Sequence, residues 1–391
     1  MKILFVRTYC PNPIFYGSEM RCSRFVDYFK KKGRLDLLTL SKPTEMADRC
    51  YIKNNFTKFH FFDQKGDHLR LTAFEKFVHL LPWQIMAFYA KDLQERLNRI
   101  LLEEQYDLIF IFKLDPVFYF LQLPGAWHKK IVIDFDDIVS DLYRNHYKNP
   151  LTAVKNSCFL KHYENRSLER FKRVFVCSSD AVLKISPKHR QKVGIVPNIF
   201  QTAKENHSPA EGNHNRILFV GSLDYFPNTE GLKWFFDVVW PQVKKTYPPL
   251  RMTVAGKAFK DPIVMASFFG NPEDVDFYIN VPSVMPYYQD CFASFVPLLN
   301  GSGTRLKILE SVAYGRPVIS TVKGMEGLDF DNGKSIFVFQ DAQSFLDAYK
   351  ALLNKECYAN VVENALSILK QRYSLNAFIS SMDENWQRII P

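Results

Sequence analysis

Short apolar runs alternate along this chain with longer stretches in which apolar positions recur at helical spacing. The first run, residues 2–6 (KILFV), has a near copy at residues 216–220 (RILFV). Runs of this length and composition are typical of strands buried in a parallel sheet. Further strands are predicted at residues 35–40, 108–112, 131–134, 174–177, 193–196, 251–255, 275–279, 293–297, 317–321 and 336–339. Helices are predicted at residues 18–32, 160–172, 229–245, 304–314, 342–353 and 373–390.

This alternation predicts an α/β protein with two Rossmann-like domains. Strands that alternate with helices form parallel sheets covered on both faces. The length of 391 residues also exceeds the ~100–200 expected of one domain. We place the domains at residues 1–200 and 201–372, followed by a helical segment at 373–391. Ligands then bind beyond the carboxyl ends of the strands, in the cleft between the domains.

Composition and charge narrow the class of protein. The chain is 47% hydrophobic and 24% charged, which excludes a disordered or fibrous protein. Residues 1–200 carry 33 Lys and Arg against 21 Asp and Glu, a net charge of +12, whereas the rest carries −2. This asymmetry favours an anionic partner for the first half, or else it reflects scattered, solvated side chains.

The compartment is predicted to be the cytoplasm. Seven scattered cysteines without Cys-x-x-Cys spacing are typical of free thiols. No apolar run reaches the ~20 residues of a membrane span, and the apolar N-terminal run is too short for a signal peptide. The nine histidines lack ligand spacing, so no metal site is expected.

The most informative segment is residues 297–310 (PLLNGSGTRLKILE). A buried strand ends there, a Gly-x-Gly turn follows, and a helix begins near Thr304. Glycines allow a ligand to approach the backbone, and the first amides of a helix are unpaired donors with positive potential. Gly301, Ser302, Gly303 and Thr304 are therefore predicted to cradle a phosphate.

Three charged side chains follow on the same helix. Arg305 and Lys307 can add charge-assisted contacts to the phosphate. Glu310 lies one turn further on and suits two vicinal hydroxyls, as on a ribose. The segment therefore fits a nucleoside diphosphate, although a glycine loop with a Lys–Glu surface pair is the alternative interpretation.

Several segments together resemble the donor site of GT-B glycosyltransferases of family 4, the group 1 type. The similarity rests on GSGTRLKILE at 301–310, GRPVIST at 315–321 and GMEGL at 324–328. Further matches occur in order: VPN at 196–198, FVGSL at 219–223, PN at 227–228 with Gly231, VAG at 254–256, VP at 281–282 and PYY at 286–288. The resemblance covers nearly the whole chain and is strongest from 216 to 328.

The resemblance implies two facing Rossmann-like domains, a nucleotide-sugar donor in the second, and a final helix that crosses back to the first. It implies transfer of a hexose, with UDP-glucose as the expected type of donor, to a saccharide or lipid-linked saccharide, with retention and without a metal. Glu310 would bind the donor ribose. Four further positions are implied to line the donor site: Gly221, Ser222, Gly256 and Val281.

The chain departs from the family pattern at two places. Ser302 stands where the family has the first glutamate of its Glu-x7-Glu motif. Ser222 stands where many members have a phosphate-binding arginine, and a lysine that follows in those members is also missing. We therefore predict that the amides of Gly303–Arg305, with the side chains of Arg305 and Lys307, hold the diphosphate.

The acceptor side is predicted at residues 132–137 (VIDFDD). A strand that ends in carboxylates aims them at the ligand edge of the sheet, and their mutual repulsion can raise a pKa. Asp136 or Asp137 would act as general base toward an acceptor hydroxyl or orient it; a helix N-cap is the alternative. Gly17 resembles the glycine loop near the transferred sugar, or it precedes a helix capped by Ser18.

Other functions were weighed against the same residues. Residues 77–90 are apolar with basic flanks and predict either peripheral contact with an anionic inner membrane leaflet or a core helix. A dinucleotide fingerprint is missing after the first strand, which excludes an NAD dehydrogenase. A nucleic-acid protein would leave 301–310 unexplained, so no nucleic acid is expected. A GT-B nucleotide-sugar epimerase and a non-catalytic partner subunit stay as alternatives.

Overall fold

The computed structural model describes residues 1–11, 17–43, 45–62, 80, 82, 85, 88, 92–144, 149–200, 213–301 and 303–390. Ser302 and most of the apolar segment 77–90 lie outside these residues. The chain forms two compact units. The first unit consists of Met1–Val196 with Ile379–Pro391, and the second unit of Pro197–Phe378.

The first unit contains a seven-stranded parallel sheet of order β3-β2-β1-β4-β5-β6-β7. Its strands are β1 Lys2–Arg7, β2 Arg34–Thr39, β3 Phe59–Phe61, β4 Leu108–Phe112, β5 Ile131–Asp134, β6 Arg173–Val176 and β7 Val193–Ile195. Its described α-helices are Ser18–Lys30, Met46–Asn55, Leu93–Glu104, Val117–Leu121, Gly125–His128, Val139–Arg144, Pro150–Arg170 and Ser179–Leu183, and a 3₁₀ helix spans Pro187–Lys192.

Aromatic rings fill the core of the first unit. Phe110 on β4 lies 4.7 Å from the rings of both Phe25 and Phe29 and 5.3 Å from that of Phe5. All four side chains are fully buried. β4 is apolar at every position (LIFIF) because helices cover both faces of the sheet. Part of the high phenylalanine content thus serves folding.

The second unit contains a six-stranded parallel sheet of order β10-β9-β8-β11-β12-β13. Its strands are β8 Asn213–Val220, β9 Arg251–Gly256, β10 Val275–Ile279, β11 Cys291–Val296, β12 Val318–Ser320 and β13 Phe337–Val338. Its α-helices are Phe226–Trp234, Trp240–Thr246, Pro262–Phe268, Met285–Asp290, Leu306–Ala313, Val322–Met325, Ala342–Leu352 and Lys355–Arg372.

The predicted helix at 229–245 is a continuous helical rod with one irregular turn. It starts at Phe226, and a π-helical turn, Phe235–Val239, joins its two α-helical parts. Pro241 follows this turn and has no amide hydrogen to donate. The π turn accommodates that missing hydrogen bond, so the proline does not end the helix.

The helix Leu375–Gln387 connects the second unit to the last part of the first unit. In the first unit, Tyr28 Oη donates a hydrogen bond to Asp383 at 2.7 Å, and Arg173 Nε donates to Asn385 Oδ1 at 2.8 Å. The returning helix implied by the resemblance is therefore present. Within the described part of the chain, no helix combines the length and apolar content needed to cross a membrane.

Candidate functional site

The predicted donor residues lie at the carboxyl edge of the second sheet. β8 lies between β9 and β11, so the strand order runs outward in opposite directions from β8 and β11. Ligands of open α/β sheets bind at such a switch point. Gly221 follows β8, Gly256 ends β9, and the 297–305 loop follows β11, which brings the three segments to one edge.

Two glycines let the backbones of this edge touch. A Cβ on Gly256 would lie 1.9 Å from the carbonyl oxygen of Gly221, and a Cβ on Gly221 would lie 2.7 Å from Lys307 Nζ. The loops after β8 and β9 are therefore in direct backbone contact. The lysine ammonium lies against the bare backbone of Gly221.

Replacing each of these two glycines by alanine is expected to affect a different property: protein stability at Gly256 and donor binding at Gly221. Gly256→Ala meets rigid backbone, and we expect a loss of about 2 kcal/mol in the free energy of unfolding. Gly221→Ala meets the side-chain ends of Lys307 and Asn228, at 2.7 and 2.8 Å, rather than backbone. We therefore expect a smaller loss of stability but about tenfold weaker binding of UDP-glucose, because the hydrogen bond between these two side chains is displaced. Urea unfolding and calorimetric titration measure the two effects. Equal stability of both variants would contradict the backbone contact.

Lys307 is held in the site by neutral groups. Its Nζ donates to Asn228 Oδ1 at 2.8 Å and lies 4.1 Å from the centre of the Phe219 ring. Asn228 Nδ2 in turn donates to the carbonyl of Ser222 at 2.6 Å. Burial is the main cause that holds the pKa of Lys307 well below its ordinary value, and the charge of Arg305 lowers this pKa further. An anion bound beside this group would raise its pKa again and stabilise the ammonium.

Glu310 lies one helical turn beyond Lys307 on the Leu306–Ala313 helix. Tyr288 Oη donates a hydrogen bond to Glu310 Oε2 at 3.2 Å, and the Tyr288 ring stacks on that of Tyr314 at 4.8 Å. Burial raises the pKa of Glu310 to about 7, although the hydrogen bond from Tyr288 and the charge of Lys307 lower it. The carboxylate therefore changes charge near neutral pH.

Arg305 is turned toward the loop that precedes it. Its Nη1 donates to the carbonyl of Gly303 at 2.9 Å, and a Cβ on Gly301 would lie 2.9 Å from its Nη2. Both glycines have positive φ, 114° at Gly301 and 76° at Gly303, which suits glycine. Thr304 Oγ1 accepts a hydrogen bond from Asn198 Nδ2 at 2.8 Å. These contacts fix the shape of the predicted phosphate loop.

The helix of this segment begins at Leu306 rather than near Thr304. Arg305 has extended backbone angles and occupies the N-cap position. The unpaired amides at the helix start therefore belong to residues two positions later than the sequence suggests.

Val281, another residue predicted to line the donor site, is half-buried in the loop that connects β10 to the helix Met285–Asp290.

The three aspartates after β5 in the first unit have different environments. Asp134 is buried and accepts two hydrogen bonds from Arg21, at 2.8 and 2.6 Å. Asp137 Oδ1 accepts from the amide of the next residue, Ile138, at 2.7 Å. Asp136 has φ 58°, a conformation that is uncommon for residues other than glycine.

The Asp136 carboxylate lies between two cations. It is 3.6 Å from Arg21 Nε and 3.9 Å from Lys113 Nζ. Lys113, which follows β4, also has a positive φ of 71°. Strained residues at the ends of two adjacent strands are typical of functional sites. Asp136, one of the two predicted acceptor carboxylates, is thus turned toward other side chains of this edge.

Sequence reasoning missed a pair at the switch point between β1 and β4. Thr8 Oγ1, just after β1, donates to Asp115 Oδ2 at 3.3 Å. Burial raises the pKa of Asp115. In the sequence, Asp115 could have been found from the polar Lys-Leu-Asp-Pro segment that follows the apolar β4 run.

The interpretation of Ser18 as N-cap is wrong, because Ser18 is the first helical residue and Gly17, with φ 56°, is the cap.

No three His, Cys, Asp or Glu side chains among the described residues are grouped closely enough to hold a metal ion. Three residues outside the predicted site contact members of these clusters: Asn228, which links Lys307 to the loop after β8, and Thr8 and Lys113 in the first unit. Each contacts a residue distant in sequence.

Comparison with known proteins gives a family match for part of the second unit and a relative over the whole chain. Residues 214–355 match the family of group 1 glycosyl transferases. The 44.6 kDa protein in the cps region of Klebsiella pneumoniae is 25% identical over 406 residues, covering 98% of this chain and 100% of that protein.

Two solved structures have a similar fold. Anabaena Alr3699/HepE in complex with UDP-glucose is 15% identical, with a TM-score of 0.68, over 99% of this chain and 99% of that chain. The lipopolysaccharide outer core galactosyltransferase WaaB is 15% identical, with a TM-score of 0.65, over 99% of both chains. The fold is therefore that of the GT-B glycosyltransferases, and residues 214–355 are of the group 1 type. These findings confirm the resemblance seen in the sequence.

Proposed function

We propose that this protein is a cytoplasmic, retaining glycosyltransferase that moves a hexose from a UDP-hexose such as UDP-glucose to a saccharide or lipid-linked saccharide. The observation that carries the proposal is the buried Lys307 ammonium against Gly221, with Glu310 one helical turn away. The complex of HepE with UDP-glucose, the activity in the name of WaaB and the relative in a cps region support this class of donor and a role in polysaccharide synthesis.

The donor diphosphate binds at Lys307 and at the amides that start the Leu306–Ala313 helix, and the ribose binds at Glu310. When the bond between sugar and phosphate breaks, negative charge develops on the leaving diphosphate. Fixed positive groups in a water-poor site stabilise that charge without reorganisation. Lys307 supplies such a group, and Arg305 holds the glycine loop around it. We propose that no metal ion takes part.

The acceptor hydroxyl is bound by the first unit at the carboxyl edge of its sheet. Asp136 either accepts the hydroxyl proton or orients the hydroxyl. Arg21 and Lys113 hold its carboxylate in place. Asp134 is fully buried, whereas Asp136 is partly exposed and is oriented by two cations, so we assign this role to Asp136.

A thermal-shift screen with UDP, GDP and UDP-hexoses tests the donor site, because a bound ligand stabilises by mass action. Release of UDP from UDP-glucose, with and without saccharide acceptors and with EDTA, then tests the reaction. Acceptor-dependent release that survives EDTA supports the proposal. Interconversion of the donor sugar without acceptor would indicate an epimerase, and UDP binding without any turnover a non-catalytic subunit.

The raised pKa of Glu310 predicts a pH dependence of donor binding. An ionised carboxylate accepts hydrogen bonds from both ribose hydroxyls, whereas the protonated acid loses part of this capacity. With a pKa of about 7, the ionised fraction falls about tenfold from pH 8 to pH 6. We expect the dissociation constant of UDP-glucose to rise correspondingly, up to about tenfold.

Calorimetric titration of UDP-glucose over this range measures the effect, because its pyrophosphate diester keeps its charge. Glu310→Gln serves as the control and should bind with no loss of affinity on acidification. An identical loss in Glu310→Gln would show that another group titrates.

A further inference from the structure

The second unit exposes a strip of large apolar side chains between β9 and β10. Phe259 is 91% exposed, Ile263 81%, Phe268 51% and Val264 42%. These four residues, here called the 259–268 strip, lie within ten positions of one another. Exposed apolar residues are ordinary when scattered, but a contiguous group marks an interaction surface.

Folding of the second unit does not account for the strip. The Pro262–Phe268 helix turns Met265 toward the core, and Phe269 follows it there, where its ring stacks on Phe277 at 5.8 Å. Ile263, two positions before Met265, lies on the opposite face of the helix, whereas Val264 and Phe268 lie along its flank, where the Phe268 ring contacts that of Phe269 at 5.0 Å. The helix is already anchored by its inner face, so its outer face is apolar for another reason.

Next to the strip, the lysines are exposed, whereas the acids accept hydrogen bonds from backbone amides. Lys257 and Lys260 flank Phe259 and are exposed, and Lys260 Nζ lies 6.0 Å from the centre of the Phe268 ring. The nearby acids are turned to the backbone. Asp224 accepts from the amide of Phe259 at 3.1 Å, and Asp261 from that of Val264 at 2.9 Å. The Lys260 ammonium therefore lies beside an apolar side chain of the strip.

We propose that the 259–268 strip inserts into the headgroup region of an anionic lipid bilayer. Phe259 projects from its loop with almost no neighbour, so it is suited to enter a fluid medium. Apolar and aromatic side chains that enter the interface beside lysines, whose ammonium groups reach the phosphates, are characteristic of interfacial binding segments. Anionic lipid attracts each such lysine.

The strip is adjacent to the donor loop of the same unit. The amide of Leu223 donates to the carbonyl of Lys257 at 2.8 Å, so the loop that carries Phe259 is hydrogen-bonded to the loop after Gly221. Insertion of the strip would hold this edge of the second sheet at the membrane surface. This inference concerns membrane attachment and does not depend on the proposed transfer reaction.

Flotation with vesicles of phosphatidylcholine and phosphatidylglycerol tests the inference. The full chain should bind these vesicles at low salt and keep much of this binding at high salt, because apolar insertion is not screened. Phe259→Ser combined with Ile263→Ser should lower the apparent partition coefficient at least about tenfold. Leu151→Ser is the matched control, since Leu151 is also an exposed aliphatic residue, at 82%, and should leave binding unchanged.

Four results would overturn the proposal. Binding that disappears completely at high salt, or that the double variant retains, would indicate adsorption through the basic first half of the chain. Loss of the UDP thermal shift in the double variant would assign Phe259 to the donor site. Sedimentation that shows a dimer in the full chain and a monomer in the double variant, without vesicle binding, would assign the strip to a second copy of this chain.

Discussion

Lys307→Met is expected to bind UDP-glucose about 1000-fold more weakly than the unaltered protein, because removing one partner of a buried charge pair costs about 4 kcal/mol. The same variant should melt at an equal or higher temperature without ligand. Lys307 contacts neutral groups through its hydrogen bond and its ring contact. Burial and the charge of Arg305 disfavour its ammonium form, so the charge is costly to bury. Methionine has a similar length and no charge.

Calorimetry and thermal unfolding check the two parts of this prediction. Lys350→Met is the control, because Lys350 is exposed on the Ala342–Leu352 helix of the same unit, and it should change neither quantity. Retained affinity in Lys307→Met would remove the proposed diphosphate site. A large drop in melting temperature without lost affinity would instead make Lys307 a residue of the core.

Asp136→Asn is expected to lower the turnover number about 100-fold, the low end of what a positioned general base contributes. The donor site lies in the second unit, so affinity for UDP-glucose should not change. The amide keeps the shape of the side chain but loses the charge that Arg21 and Lys113 hold. Initial rates of UDP release at saturating donor measure the effect.

The matched variant is Asp137→Asn, which keeps an oxygen that can accept from the Ile138 amide. It should keep most of the turnover and lose at most about 1 kcal/mol of stability. Equal losses of turnover in both variants would mean that the conformation of the loop, rather than the Asp136 carboxylate, is what catalysis requires.

The pattern of apolar positions along the sequence predicted the parallel strands well, because a strand that is buried on both faces is apolar at consecutive positions, as β4 is. It missed β3 (Phe59–Phe61), which is short and has one exposed and two partly buried residues. The Gly301–Glu310 segment was recognisable because loop, helix start and charged residues are contiguous. Partners such as Asn228 and Lys307, or Thr8 and Asp115, are far apart in sequence, and only the fold brings them together.

The connectivity also has a consequence for synthesis. The second unit is inserted between Val196 and Ile379 of the first, so the first unit is discontinuous along the chain. On the ribosome, Pro197–Phe378 emerges complete before residues 379–391, which supply Asp383 for Tyr28 and Asn385 for Arg173. The part of the protein made first is therefore the last to complete its fold.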